Sequence, residues 1–187
     1  MKPGRRNLRL AAAVGVAVIV LAGASTVAFA AANRAFSHRW AAPSGQCAAP
    51  SLPGSVVDVT LTNMGGAMMG AWQGGGMMRV LTNTHSVPAG TISLRVANTG
   101  SLVHELVVLP LPQGQQVGER TVGTDNRVDE TGSLSEASHS CGPGAGDGIN
   151  PGSIGWVTLN LAPGRYELIC NLPGHYAAGM YTQLTVT

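Results

Sequence analysis

Three side chains with a high affinity for metal ions lie close together near the end of this 187-residue chain. Cys170, His175 and Met180 follow the pattern Cys-x4-His-x4-Met, and a further histidine, His104, opens the apolar run 104–109. Sulfur ligands favour Cu(I), whereas imidazole also accepts Cu(II). Two His, one Cys and one Met therefore predict a mononuclear copper site that changes oxidation state, because a zinc site would have no need of the methionine.

The elements around this pattern are suited to bring the side chains together. Cys170 ends a strand-like run in which alternate residues are apolar, so its thiol is expected to point into the interior. Pro173-Gly174 predicts a turn that brings His175 back, and Gly179 permits a close backbone approach. The alternative is a buried thiol, a surface histidine and a core methionine that share no role.

Alternating apolar residues predict the strands that carry this loop. They fall near 57–61, 92–96, 104–109, 156–161, 166–170 and 182–186, with Pro/Gly turns at 88–90 and 162–164. No stretch after the N-terminal segment has a helical period. We therefore expect an all-β fold, an antiparallel Greek-key β-sandwich.

At these motifs the chain resembles the cupredoxins. The Pro-Gly-His and Ala-Gly-Met sequences are most similar to the rusticyanin, sulfocyanin and auracyanin branch, and the resemblance covers roughly residues 56–187. It implies that His104, Cys170 and His175 form a trigonal plane around one copper ion, with Met180 as a long axial ligand. Many relatives have Asn directly after the first His, where this chain has Glu105, so the role of that position is left open.

A metal that is fully coordinated by protein leaves no position for a substrate, so the site predicts an electron carrier and not an enzyme. The resemblance implies redox partner proteins that dock beside His175, on an apolar rim of Pro173, Tyr176, Ala177 and Ala178. We expect a monomer. The alternative function is an extracytoplasmic copper-binding or copper-carrier protein in copper homeostasis.

The N-terminus has the pattern of an export signal. Basic residues at positions 2–9 precede the uncharged run 10–32, which fits a cleaved signal peptide or an anchor in the cytoplasmic membrane. We expect a signal or anchor helix at 1–32, a linker at 33–53 and a cupredoxin domain at 54–187. The location is then extracytoplasmic, with membrane contact only through residues 10–32.

Charge excludes one class of partner. Four of the 11 basic residues lie in the first nine positions, which leaves seven against nine acidic residues. The basic balance of the whole chain thus comes from the N-terminal segment, and no nucleic-acid partner is expected.

Two insertions interrupt the strands. Residues 64–78 contain five Met and six Gly, a composition that fits either a flexible apolar loop or a Cu(I)-capturing segment. Residues 113–153 are polar and long enough to be either functional or partly disordered. His139, His38 and His85 are interpreted as ordinary exposed residues.

Cysteine counting predicts a disulfide. With Cys170 assigned to the metal, Cys47 and Cys141 remain as a pair in a compartment where disulfides persist. The alternative is two unpaired thiols.

Overall fold

The computed structural model describes residues 47–63 and 78–187, which belong to one compact unit, Gln46–Thr187. The predicted signal or anchor helix, most of the linker and nearly all of the Met-rich insertion lie outside the described residues. Within the two described ranges, no helix is both long and apolar enough to cross a bilayer.

In the described residues, nine strands form two sheets. The strands are β1 (Ser55–Asn63), β2 (Met78–Thr82), β3 (Ser86–Val87), β4 (Gly90–Asn98), β5 (Leu106–Pro110), β6 (Ser135–Ala137), β7 (Ile154–Leu161), β8 (Gly164–Ile169) and β9 (Tyr181–Val186). The first sheet has the order β2-β1-β4-β7 and the second the order β3-β9-β8-β5-β6. The predicted all-β sandwich is confirmed.

The sheets are mixed, although the sequence pattern predicts antiparallel pairing. β1 pairs with β4 in parallel, and so does β3 with β9, while the other pairings are antiparallel. The chain enters the second sheet at β3 before it returns to the first at β4. This crossing lets β4 run beside β1 in the same direction, which a tight hairpin does not allow.

The core lies between the sheets and follows the alternation in the sequence. In β1, Val57, Val59 and Leu61 are buried, whereas Asp58 and Thr60 are only half-buried. Burying a Val or Leu side chain contributes about 1.5–3 kcal/mol. The same cluster includes Leu94, Val96, Leu106, Leu168, Leu184, Cys170 and Met180, so two predicted copper ligands belong to the main core.

Three strands are not predicted by the sequence pattern, and two of them touch the expected insertions. Met78, placed in the first insertion, is the first residue of β2. The second insertion contains β6, which pairs with β5, and it buries Val128, Ala137 and Ile149. This region is packed against the sandwich because it carries apolar residues between its polar ones.

The predicted disulfide is confirmed. Cys47 and Cys141 are bonded, with their Cα atoms 5.3 Å apart and a sequence separation of 94. Cys170 is the remaining free cysteine, and it is buried. The disulfide joins the segment before β1 to the second insertion.

Candidate metal centre

The loop from Cys170 to Met180 is closed by its own backbone. Cys170 follows β8 and Met180 precedes β9, and the amide of Cys170 donates to the carbonyl of Met180 at 3.0 Å. Within the loop, the amide of Met180 donates to the carbonyl of His175 at 3.2 Å. Gly174 and Gly179 have φ of 83° and 96°, a region that favours glycine. Gly174 makes the turn predicted at Pro173-Gly174, and a Cβ at Gly179 would lie 3.4 Å from the carbonyl oxygen of Met78, in keeping with the predicted close backbone approach.

His104 lies just before β5 instead of inside it. Its amide donates to the carbonyl of Ile149 at 3.2 Å, and the amide of Ile149 donates back at 2.7 Å. Ile149 belongs to the second insertion. The first histidine is therefore held by a segment that the sequence does not connect with it.

Three of the four predicted donor side chains converge. His104 Nδ1 and His175 Nδ1 lie 3.2 Å apart, and Cys170 Sγ lies 3.9 Å from the first and 3.3 Å from the second. A metal at the centre of a trigonal plane, with bonds of about 2.0 Å to nitrogen and 2.3 Å to sulfur, separates the nitrogens by about 3.5 Å and each nitrogen from sulfur by about 3.7 Å. The triangle thus has the size that one metal ion requires.

The fourth predicted donor, Met180, is fully buried and adjoins Cys170 through the backbone hydrogen bond described above. His104 and Cys170 are also fully buried, while His175 is partly exposed. A thiol, two imidazoles and a thioether fit copper better than Zn²⁺, because soft sulfur donors select Cu(I). The residues present therefore fit a copper ion.

Burial sets the protonation of these groups. Burial and the neighbouring His175 lower the pKa of His104 to about 4, so its imidazole is neutral and able to bind a metal at neutral pH. Burial also lowers the pKa of His175. Burial raises the pKa of the Cys170 thiol to about 12, so this group keeps its proton until a metal displaces it.

Glu105, which directly follows His104, connects the two ligand segments. Its amide donates to Cys170 Sγ at 3.4 Å, and its Oε1 accepts the amide of Asn171 at 3.1 Å. Burial and the neighbouring Glu136 and Glu130 raise the pKa of Glu105 to about 7. In either protonation state the carboxyl can accept the hydrogen bond from the Asn171 amide, at the start of the ligand loop.

A second group of supporting residues is missed by sequence reasoning. The Glu167 carboxylate is fully buried, pairs with Arg120 at 2.6 Å and accepts the Tyr176 hydroxyl at 2.9 Å. A charged residue inside the apolar run 166–170 is the signal that points to such a buried partner. Asn63, at the end of β1, is also missed, and its Oδ1 lies 3.2 Å from His104 Nε2.

Tyr176 does not belong to the expected apolar rim. Its ring is buried against the second sheet with Val107, Leu109, Val128 and Ile169, whereas Pro173, Ala177 and Ala178 are exposed. The position after His175 turns inward because its hydroxyl reaches Glu167. His85 and His139 are exposed, as expected, and His38 lies outside the described residues.

A two-sheet sandwich with a buried His-Cys-His cluster and an adjacent buried Met on a strand-to-strand loop defines a cupredoxin. The chain belongs to the sulfocyanin (SoxE) domain family, whose domain matches residues 75–187, and this confirms the predicted rusticyanin, sulfocyanin and auracyanin branch of these copper proteins.

The individual relatives either match a short part of this chain or have low sequence identity to it. Auracyanin-B of Chloroflexus aurantiacus is 55% identical over 40 residues, which are 21% of this chain and 17% of that protein. The structure of reduced auracyanin from Roseiflexus castenholzii has 21% identity over 73% of this chain and 99% of its own, with a TM-score of 0.43. Rusticyanin from Thiobacillus ferrooxidans has 21% identity over 72% and 79%, with a TM-score of 0.42.

Proposed function

We propose that the protein is an extracytoplasmic one-electron carrier with a type 1 copper site. His104, Cys170 and His175 supply the trigonal ligands, and Met180 is the axial ligand. The observation that carries this proposal is the triangle of donor atoms, with sides of 3.2, 3.3 and 3.9 Å, next to the buried Met180. A copper ion bound there supplies a one-electron couple between Cu(I) and Cu(II).

The surroundings suit electron transfer because they resist movement of the ligands. The amide of Cys170 donates to the carbonyl of Met180 between β8 and β9, and His104 and Ile149 exchange two backbone hydrogen bonds. A site that keeps its geometry in both oxidation states adds little reorganisation to the barrier. With Met180 as the fourth ligand, the protein would fill the coordination sphere of the metal and leave no position for a substrate, which supports a carrier and not an enzyme.

An absorption spectrum tests the site. Protein loaded with Cu(II) should show an intense visible thiolate-to-copper band, and Cys170→Ser should abolish it. His139→Ala is the matched control, because it removes an exposed histidine outside the cluster. A wild-type protein that stays colourless with cupric salt would contradict the proposal. Slow copper loss to a chelator distinguishes a carrier of electrons from a carrier of copper.

We propose that redox partners dock where His175 reaches the surface. Pro173, Ala177 and Ala178 form a small exposed apolar rim there, and Ala178 also lines a groove of about 240 Å³. Transient redox encounters use small interfaces. Ala177→Asp should slow electron exchange with the partner and leave the copper spectrum intact. Ala89→Asp is the control. The amide of Ala89 donates to the carbonyl of Thr187, which follows the end of β9 that is opposite the ligand loop, so this variant should exchange electrons at the wild-type rate.

The disulfide supports the extracytoplasmic location, because such bonds persist in oxidising compartments. We propose that residues 1–32 direct export, as a cleaved signal or a membrane anchor. Cell fractionation and mass spectrometry of the mature N-terminus test this. Recovery of the reduced protein in the cytoplasm would contradict it.

A further inference from the structure

The amide side chain of Asn63 contacts the face of His104 that points away from the donor cluster. Its Oδ1 lies 3.2 Å from His104 Nε2, while His104 Nδ1 faces the sulfur of Cys170 and the ring of His175. The two nitrogens of this imidazole thus have different partners. What Asn63 offers to Nε2 decides which nitrogen carries the proton.

The orientation of the Asn63 amide is fixed by other hydrogen bonds. Its Oδ1 accepts the amides of Ser101 and Leu102 at 2.8 and 3.3 Å, and its Nδ2 donates to Ser101 Oγ at 2.9 Å. A flipped amide would place NH₂ against two backbone N–H groups. Asn63 therefore presents an acceptor to His104, and Nε2 must be the protonated nitrogen.

Gly100 leaves room for this contact. A Cβ at position 100 would lie 2.0 Å from Asn63 Oδ1 and 3.0 Å from His104 Nε2. Any side chain at this position would separate the two groups. The chain thus has two independent features, an amide and a glycine, that serve one hydrogen bond.

We infer that Asn63 is a positioning residue that holds His104 as the Nε2-protonated tautomer, with Nδ1 free to bind copper. The inference rests on the proposed copper site and adds a residue that lies outside the ligand motif. Asn63 also lies outside residues 75–187, which the family domain matches. Outer hydrogen bonds to metal-binding histidines set ring orientation and affinity in this way.

Nitrogen-15 NMR of the imidazoles in metal-free protein tests the inference without copper. His104 should be protonated on Nε2 in the wild type and in Asn63→Asp, which keeps the acceptor. Ser101→Ala is the matched control, because it removes the Nδ2 contact and leaves Oδ1 in place. Asn63→Leu and Gly100→Ala should each lose the preference for Nε2–H.

Copper affinity gives the second readout. Asn63→Leu should bind Cu(I) about 10- to 100-fold more weakly than the wild type, and Asn63→Asp should recover most of this loss. A wild-type His104 protonated on Nδ1, or an Asn63→Leu protein with unchanged tautomer and affinity, would overturn the inference. If Asn63→Leu does not fold, Gly100→Ala decides the question. Absence of copper uptake with the tautomer pattern intact refutes the proposed function alone.

Discussion

The two segments that supply the donor side chains are held in different ways. The ligand loop from Cys170 to Met180 closes on itself through hydrogen bonds between residues at most ten positions apart. His104 instead depends on Asn63 and Ile149, which are 41 and 45 residues away in sequence. Local backbone hydrogen bonds close the ligand loop, whereas His104 is held by tertiary contacts. Interfering with distant contacts should therefore affect the two segments differently.

Several long-range contacts make the ligand loop less local than its closure suggests: the amide of Asn171 donates to Glu105, and the amide of Gly174 donates to the carbonyl of Asn126. Tyr176, inside the loop, donates to the buried Glu167, whose charge is balanced by Arg120 from the second insertion. Arg120 also donates to the carbonyl of Pro110 at 2.7 Å. This buried pair links the loop to the insertion, and it is the first place to test the comparison.

Arg120→Met should produce the largest loss of stability. It leaves the fully buried Glu167 carboxylate without its cation, which costs about 3–5 kcal/mol in buried pairs. The exposed pair Arg95–Asp58, also 2.6 Å apart, is the matched control, and Arg95→Met should cost about 0–1 kcal/mol. Urea unfolding measures both. Equal losses in the two variants would show that the buried pair is not a special support of the loop.

Removing the disulfide should have the next largest effect. Cys47→Ser with Cys141→Ser opens a covalent loop with a sequence separation of 94 and should reduce the free energy of unfolding by about 2–4 kcal/mol. The second insertion also holds Ile149 against His104, so copper affinity should fall. The thiolate band should persist, because the ligand loop closes on itself. A loss of the band with stability unchanged would contradict the distinction between the two segments.

The same distinction explains what the sequence reveals. The ligand loop is predictable because its Cys, His, Met and turn residues occur within eleven positions, and the strand alternation on both sides marks its limits. The contacts of His104 cannot be predicted in this way, because Asn63 and Ile149 approach it only when the sheets pack. The strand β6 is short and follows a polar segment, so its pairing with β5 leaves no periodic pattern to detect. The parallel pairing of β1 with β4 also leaves no pattern in the sequence, because it depends on the chain passing through β3 in the other sheet.

Glu105 provides a pH-dependent test of the junction between the two segments. In the metal-free protein, burial raises the pKa of its carboxyl from 4.5 to about 7, so the folded chain binds this proton more tightly than the unfolded chain. Its stabilising contribution is complete below pH 4.5 and is lost as the pH rises through 7, a change of up to about 3 kcal/mol. Glu105→Gln keeps an acceptor for the Asn171 amide but does not titrate.

Urea midpoints at pH 5.5 and 8.5 measure this effect. The wild type should lose more stability than Glu105→Gln between the two values, and the difference between the proteins isolates this carboxyl from other titrating groups. Parallel pH profiles would show that Glu105 is ionised throughout this range, and would contradict the raised pKa of its carboxyl.

The smallest effect is the release of a proton on metal binding. This proton should come from Cys170 in the ligand loop and not from His104. The pKa of His104 is about 4, so this ligand is already free of its proton at neutral pH, whereas the pKa of Cys170 is about 12. Copper must therefore displace one proton, from the ligand loop, and affinity should rise about tenfold, or about 1.4 kcal/mol, per pH unit between pH 8 and 9.5. Competition for Cu(I) with a chelator of known protonation measures the slope. A slope near zero would mean that the thiol is ionised before copper arrives, and a slope of two would mean that a histidine also gives up a proton.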